Sequence, residues 1–513
     1  NGIVQGVGFR PFVFQLAEKF SLKGTVANTS SGVSVHIEGS PENVAAFEKT
    51  LAEKSPPLAY ISEISSQTDA VRNCAEFAIV KSNGQAKMST LISPDVSVCD
   101  DCLGEMLAPD DRRYNYPFIN CTNCGPRYTI IDDIPYDRPK TSMRDFKMCP
   151  QCQAEYDSPT NRRFHAQPNA CADCGPHVGL YDHQRNEIIP HTLAVIKAAD
   201  LLKAGHILAI KGLGGYHLAA DAANTEAVKK LRRRKLREEK PLAIMSYDLK
   251  AIDRYARVGP EEETLLASIQ RPIVLLKKKK PNTISKEVAP GNNYFGVMLP
   301  YTPLHYLLLE NGFDALVMTS GNLSEEPIAI DNDDALNRLS KIADYFLIHN
   351  RDIYLRSDDS IVRYAAGARR FLRRSRGFVP IPVFLKNEMP STLACGAELK
   401  NTICVTKQDK AFLSQHIGDL ENLPTYEFFK LTIAHLNRIL DIEPQIIAYD
   451  MHPDYLSTQY ALELPADHKI QVQHHHAHIV SCMAEHKLGD AVIGLSFDGT
   501  GYGTDGAIWG GEI

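Results

Sequence analysis

Cys99-Asp100-Asp101-Cys102 and Cys121-Thr122-Asn123-Cys124, followed by Cys149-Pro150-Gln151-Cys152 and Cys171-Ala172-Asp173-Cys174, form the most informative stretch of the chain. Eighteen residues separate the two pairs within each half, the spacing of a four-cysteine zinc site. The second half repeats the first at an offset of fifty residues, and the repeat extends beyond cysteine. Glu105 matches Glu155, Arg112 and Arg113 match Arg162 and Arg163, Tyr114 matches Phe164, and Cys-Gly-Pro recurs at 124–126 and 174–176. A duplicated unit is therefore expected, holding two zinc ions. One ion falls to Cys99, Cys102, Cys121 and Cys124, the other to Cys149, Cys152, Cys171 and Cys174. Zn²⁺ accepts four thiolates in a closed tetrahedron with no open position for substrate, so both ions are expected to be structural. Residues 90–185 carry few long apolar runs, and metal is expected to substitute for a core there.

Outward from this module, 513 residues are too many for one core, and about one domain per 150 residues gives three or four. Eight of the twelve cysteines lie in the four pairs, and a chain this long needs no disulfide staples. That pattern points to metal binding in a reducing compartment, the cytoplasm. No run approaches eighteen apolar residues and no signal peptide is recognisable, so no membrane association is expected. A net charge of −6 argues against a protein that coats nucleic acid. The first residue is Asn1 rather than Met, and Ile513 follows Trp509-Gly510-Gly511 directly, which suggests a piece of a longer protein.

Residues 1–85 read as a small α/β unit. Gln5-Gly6-Val7-Gly8-Phe9-Arg10 is a Gly-rich loop leading into a helix with Phe12, Leu16, Ala17 and Phe20 on its apolar side. Strand-like runs at 24–28 and 33–38 flank the turn Thr29-Ser30-Ser31-Gly32. A second helix starts at Ser40-Pro41-Glu42, and a closing strand covers 76–81. With one strand placed before residue 1, the order is βαββαβ, the ferredoxin-like pattern. The glycines can turn backbone N–H groups onto an anion beside the Arg10 guanidinium, although a tight structural turn would use the same residues. The stretch from Gly2 to Gly39 resembles acylphosphatases. The resemblance implies that Arg10 binds the phosphate and that Asn28 orients the attacking water, both catalytic. The family's usual Gly-Trp before that Asn is Gly24-Thr25 here.

Residues 186–382 alternate helical and apolar-strand patterns, and Val379-Pro380-Ile381-Pro382 reads as a linker. Residues 231–242, with Arg232, Arg233, Arg234, Lys235, Arg237 and Lys240, would ordinarily be a solvated basic helix, as Lys277 to Lys280 is expected to be. The basic run is accompanied by a strand-end Gly turn at Lys211-Gly212-Leu213-Gly214-Gly215 and by the hydroxyl-rich loop Thr319-Ser320-Gly321-Asn322-Leu323-Ser324. Arg373-Arg374-Ser375-Arg376 closes the set. In this order the pieces resemble the YrdC-type domain, which implies ATP binding and acyl-adenylate formation. The candidate ATP contacts are Lys211, Arg234, Lys235, Lys240, Ser320, Asn322 and Arg374, with Mg accompanying the nucleotide. RNA binding by the same basic surface stays open as an alternative, although aromatic stacking residues are not interleaved with the charges.

Residues 386–513 carry strand-like runs at 446–449 and 491–496 and the cluster Gln473-His474-His475-His476-Ala477-His478. His474 and His478 stand four apart on a helix, so one divalent metal can take both imidazoles. Leu495 to Gly503 reads as a strand and a Gly-rich turn, with Asp498, Gly499 and Gly501 as nucleotide contacts. These features resemble the actin-like fold of TsaD-type threonylcarbamoyl transferases, with Ala394-Cys395-Gly396-Ala397-Glu398 as the first phosphate loop. The resemblance places a third, carboxylate ligand beyond Ile513, leaving two protein ligands here and a partial domain.

The order of acylphosphatase domain, duplicated zinc unit, YrdC-type domain and TsaD-type domain resembles one family, the hydrogenase-maturation carbamoyltransferases of the HypF type. Membership implies a cytoplasmic enzyme that cleaves carbamoyl phosphate to carbamate and joins carbamate to ATP as carbamoyl-adenylate. It further implies passage of the carbamoyl group to the C-terminal cysteine of a partner, HypE, for the cyanide ligand of NiFe-hydrogenase. Two rivals remain at this level. A tRNA threonylcarbamoyladenosine-forming enzyme needs neither the acylphosphatase domain nor eight thiolates. A zinc-ribbon nucleic-acid-binding protein explains the cysteines but neither Arg10 and Asn28 nor the histidines. Steeply salt-dependent RNA affinity would favour either rival.

Overall fold

The computed structural model describes every residue except 1, 5, 6, 30, 31, 57, 62, 81–90, 324 and 325. The first half of the Gly-rich loop, the tip of the 29–32 turn and the end of the 319–324 loop thus lie outside the described residues. The chain divides into two compact units, residues 1–323 with 328–377, and residues 324–327 with 378–513.

In the first unit, Lys23–Asn28 runs antiparallel to Val33–Glu38 and parallel to Phe77–Ile79. A short strand, Gly2–Ile3, precedes the first helix and pairs with Tyr60–Ile61. The second helix, Pro41–Glu53, starts where the sequence places it: the Ser40 hydroxyl accepts the Asn43 N–H and Pro41 needs no donor. In the first helix, Phe9–Lys19, the buried stripe is Phe9, Val13, Leu16 and Ala17. Phe12 and Phe20, expected in that stripe, are only half-buried, because the helix is rotated toward Phe9 and Val13.

Helices Asp100–Leu107 and Pro150–Asp157 begin directly after Cys99 and Cys149, as the duplication requires. The expectation that metal replaces a core in this module needs correction. Cys102, Met106, Phe118, Ile119 and Cys121 share one continuous apolar cluster with the large sheet behind them. Metal bound by the cysteines would therefore supplement a common core rather than substitute for a missing one.

Among the described residues that sheet has eleven strands. Its centre runs Ala243–Met245, Leu316–Ser320, Tyr216–Asp221, Leu208–Lys211 and Tyr345–His349. Successive side chains of a strand point to opposite faces, and here both faces are covered. Leu208, Ile210, Leu316 and Met318 enter the cluster shared with the zinc module, while Ala209, Leu218, Val317 and Phe346 enter the other. Helix Thr225–Lys235, capped by the Asn224 side chain, carries the basic run only as far as Lys235; Arg237 and Lys240 lie beyond its end.

The second unit is built on a five-stranded sheet in the order Val383–Met389, Cys404–Leu413, Thr392–Ala394, Ile446–Asp450 and His468–Val472. Helices Leu423–Leu440, Leu456–Glu463 and His474–Glu485 accompany it. The strand expected at 491–496 does not form. Only Ser496 makes a bridge, to Glu512, and Ile493 and Phe497 stay 87% and 85% exposed. No described helix is long and apolar enough to cross a membrane.

Candidate functional site

The two cysteine sets close into separate clusters. In the first, the sulfurs of Cys99 and Cys121 are 3.6 Å apart, Cys121 and Cys124 3.8 Å, and Cys124 and Cys102 3.6 Å. In the second, Cys149–Cys171 and Cys171–Cys174 are both 3.8 Å and Cys174–Cys152 is 3.6 Å. A tetrahedron with Zn–S bonds of about 2.3 Å has S···S edges of about 3.8 Å, so the residues fit zinc.

The matched polar residues of the repeats explain themselves across the pair. Arg112, from the first repeat, donates to Cys152 Sγ at 3.0 Å and to Glu155 at 3.1 Å in the second. Arg162, from the second, donates to Cys102 Sγ at 3.0 Å and pairs with Glu105 at 2.6 Å in the first. Arg113 likewise binds Glu155, and Arg163 binds Glu105. Four thiolates around Zn²⁺ carry two surplus negative charges, and each cluster receives its neutralising guanidinium groups from the opposite repeat. Glu155 is held down at about 2 by these arginines despite partial burial, which alone would raise it.

Beside the zinc module, Arg10 on the first turn of Phe9–Lys19 and Asn28 at the end of Lys23–Asn28 line one cavity of about 370 Å³. Gly8 enters the helix at φ 73°, and a Cβ there would fall 2.9 Å from Thr122 Oγ1, so glycine is required by conformation and by space. The opposite wall comes from the zinc module, with Arg127, Tyr136, Asp137, His165 and Gln167. Burial lowers the Arg10 pKa and Asp137 offsets part of the shift; His165 is lowered by burial and by Arg10. Asn28 Oδ1 is buried with no hydrogen-bond partner, which leaves an acceptor free to orient a water or substrate atom in the cavity. No spacing in the sequence indicated that residues between 122 and 167 face Arg10 and Asn28 across this cavity.

In the large sheet, Lys235 Nζ donates to Ser320 O at 2.6 Å, Asn322 O at 2.7 Å and Asn322 Oδ1 at 2.7 Å. Ser320 Oγ bonds Asn322 Oδ1 at 2.8 Å. Three of the proposed contacts thus meet where the end of helix Thr225–Lys235 reaches the 320–322 loop, and burial pulls Lys235 down to about 7. Arg237, part of the basic run but not among the candidate ATP contacts, joins them through Thr319 Oγ1 at 3.2 Å. Lys240 lies close behind, its carbonyl accepting from Arg237. Arg374 follows the strand Ala368–Arg373. Arg234 does not join the loop: it binds Asp344 at 2.7 Å and Ile342 O at 2.9 Å. Lys211 is buried, bonds Asn332 Oδ1 at 2.6 Å, and is lowered to about 8 by burial. With His349 and Arg351 it lines a second cavity of about 30 Å³ that also touches Pro126 of the zinc module.

In the second unit, Asp498 Oδ2 lies 3.1 Å from both His474 Nε2 and His478 Nε2. The three form one potential metal cluster, which sets Asp498 beside the two expected imidazoles as a candidate third ligand. Asp450 Oδ2 holds His474 Nδ1 at 2.7 Å, the carboxylate–histidine arrangement that fixes a ligating ring, and raises its pKa. This donor set fits a divalent cation. Gly501 packs against the histidine helix, where a Cβ would meet His475 Nε2 at 2.7 Å, whereas Gly499 faces open space.

Family matches follow the same divisions. The Acylphosphatase family matches residues 1–79, the HypF finger 98–131 and 148–181, the Telomere recombination family (Sua5, YciO and YrdC) 200–375, and the HypF Kae1-like domain 387–485. A carbamoyltransferase HypF from Synechocystis is 50% identical over 515 residues, covering all of this chain and 67% of that protein. The crystal structure of a full-length HypF in the phosphate- and nucleotide-bound form superposes with a TM-score of 0.93 at 52% identity, over all of this chain and 67% of the other. That of T. kodakarensis HypF gives 0.90 at 47% identity, over all of this chain and 66% of the other.

Proposed function

Since the chain belongs to the HypF family of carbamoyltransferases, we propose that it catalyses the carbamoyl-phosphate- and ATP-dependent steps of carbamoyl transfer. The chain spans about two thirds of the length of the relatives above. The observation that carries the reading is the Arg10–Asn28 cavity, with its unpartnered acceptor.

Arg10 and the loop N–H groups bind the phosphate of carbamoyl phosphate, and Asn28 Oδ1 orients a water. Water adds, the bond between carbamate and phosphorus breaks, and carbamate and inorganic phosphate result. The carbamate oxygen then attacks the α-phosphorus of ATP, with Mg, and pyrophosphate leaves. Lys211, Lys235, Lys240, Ser320, Asn322 and Arg374 serve that step by holding phosphate and ribose oxygens. Arg234 keeps its tie to Asp344 and acts through the helix position.

Carbamate and its adenylate decompose in water, so a protected route between the steps is needed. Arg127 in the first cavity and Pro126 in the second are consecutive residues, which supports passage through the zinc module. His474, His478 and Asp498 would hold a divalent metal that supplies charge for the nucleotide, with Gly499 and Gly501 beside it. The acceptor is the C-terminal cysteine thiolate of HypE in the cytoplasm: sulfur attacks the carbamoyl carbon, AMP leaves, and the group goes on to a cyanide ligand of NiFe-hydrogenase. The modules are residues 1–85, 90–185, 186–382 and 386–513.

Phosphate release from carbamoyl phosphate tests the first step. Arg10→Ala is expected to abolish it with the fold retained; release at the parental rate would reduce the N-terminal domain to a scaffold.

A further inference from the structure

Strand Val33–Glu38 carries His36 and Glu38 two positions apart, so both side chains stand on one face, each only 13% exposed. Across that face runs the irregular segment before strand Phe77–Ile79, which brings in Cys74. His36 Nε2 lies 3.0 Å from Glu38 Oε1, and the nitrogen, a carboxylate oxygen and the Cys74 sulfur all lie within 4.8 Å of one another. We propose that His36, Glu38 and Cys74 form a further metal site, for one borderline divalent cation of the Zn²⁺ class.

The donor set selects that class. A thiolate and an imidazole disfavour Mg²⁺ and Ca²⁺, whereas one nitrogen, one oxygen and one sulfur suit Zn²⁺ and its first-row neighbours. Bonds of about 2.0–2.3 Å place such ligands roughly 3.3–3.8 Å apart, so a small inward shift of Cys74 completes the trio.

The surroundings are built as a ligand shell is. Glu38 is fixed in place by the backbone N–H groups of Arg72 at 2.6 Å and Cys74 at 3.0 Å. Those bonds leave lone pairs on the carboxylate for a cation. On the far side of the ring, Asp69 Oδ2 approaches His36 Nδ1 at 3.8 Å and is itself held by Arg72 at 2.7 Å. At that distance the carboxylate makes no hydrogen bond to the ring, but it adds negative charge on the side of His36 away from Glu38. The Glu38 carboxylate and the Cys74 thiolate would together balance the charge of a divalent cation. Three protein ligands leave a fourth position open. The bound ion would pin residues 69–74 onto the sheet that carries Asn28.

The test uses the full chain with both four-cysteine sites zinc-loaded and with His474→Ala and His478→Ala silencing the other site. Equilibrium dialysis against Zn²⁺ is expected to give three ions per chain, falling to two with His36→Ala or Cys74→Ser. In the chain with His36 and Cys74 intact, Zn²⁺ is expected to slow alkylation of Cys74 by about tenfold or more, read on its peptide by mass spectrometry, because only the free thiolate reacts. Dialysis stopping at two ions with Cys74 alkylation unaffected by Zn²⁺ overturns the proposal. The alkylation measurement decides even if a variant misfolds.

Discussion

Replacing Arg162 with alanine should loosen the zinc that its own repeat does not bind. Arg162 is less than a quarter exposed and contributes a guanidinium–thiolate contact of 3.0 Å to Cys102 and an ion pair of 2.6 Å to Glu105. Removing it leaves the first cluster with more uncompensated negative charge, while Arg163 remains on Glu105. Residues that orient and neutralise metal ligands are each worth about 10–100-fold in metal affinity, or roughly 1.4–2.7 kcal/mol. The expected loss therefore falls on Cys99, Cys102, Cys121 and Cys124, and Arg112→Ala should mirror it at Cys149, Cys152, Cys171 and Cys174. Chelator challenge followed by alkylation and peptide mass spectrometry shows which cysteines lose protection. Release of zinc first from the variant's own repeat, or equal release from both, would refute the crossed bracing.

Gly8→Ala forces a side chain into φ 73° against Thr122, and a cost of about 1–3 kcal/mol by chemical denaturation is expected, together with slower carbamoyl-phosphate hydrolysis. Asp498→Asn should weaken divalent-metal binding in the second unit by about 10–100-fold in titration calorimetry; unchanged affinity would exclude Asp498 as a ligand. Lys211 and Lys235 sit at about 8 and about 7, below the ordinary lysine value. The unfolded chain then binds more protons than the folded one above about pH 7, so these two groups make stability increase with pH up to about 10. A bound triphosphate favours their charged forms, so ATP binding at pH 8 should take up roughly one proton, measured by calorimetry in buffers of different ionisation enthalpy. Proton release would contradict the placement.

Much of this was legible because it is local. Cysteine spacing sets the ligand sets, Ser40-Pro41 sets a helix start, and the four-residue step from His474 to His478 sets a shared face. Partners distant in sequence were not legible. The repeats displayed Arg112 and Arg162 as equivalent, but only tertiary structure shows that each serves the other's cysteines. Asp498 stood out as a loop residue, while its role beside the histidines depends on how residues 496–512 fold back. The run at 491–496 has a strand's composition, yet no described strand lies alongside to pair with it, so its apolar side chains stay exposed.

The central claim is that one chain couples carbamoyl-phosphate cleavage to adenylation. ATP–pyrophosphate exchange tests it most directly, with carbamoyl phosphate compared against threonine plus bicarbonate. Exchange with carbamoyl phosphate that disappears in Arg10→Ala is the predicted result. Exchange supported by threonine plus bicarbonate but not by carbamoyl phosphate would contradict the account.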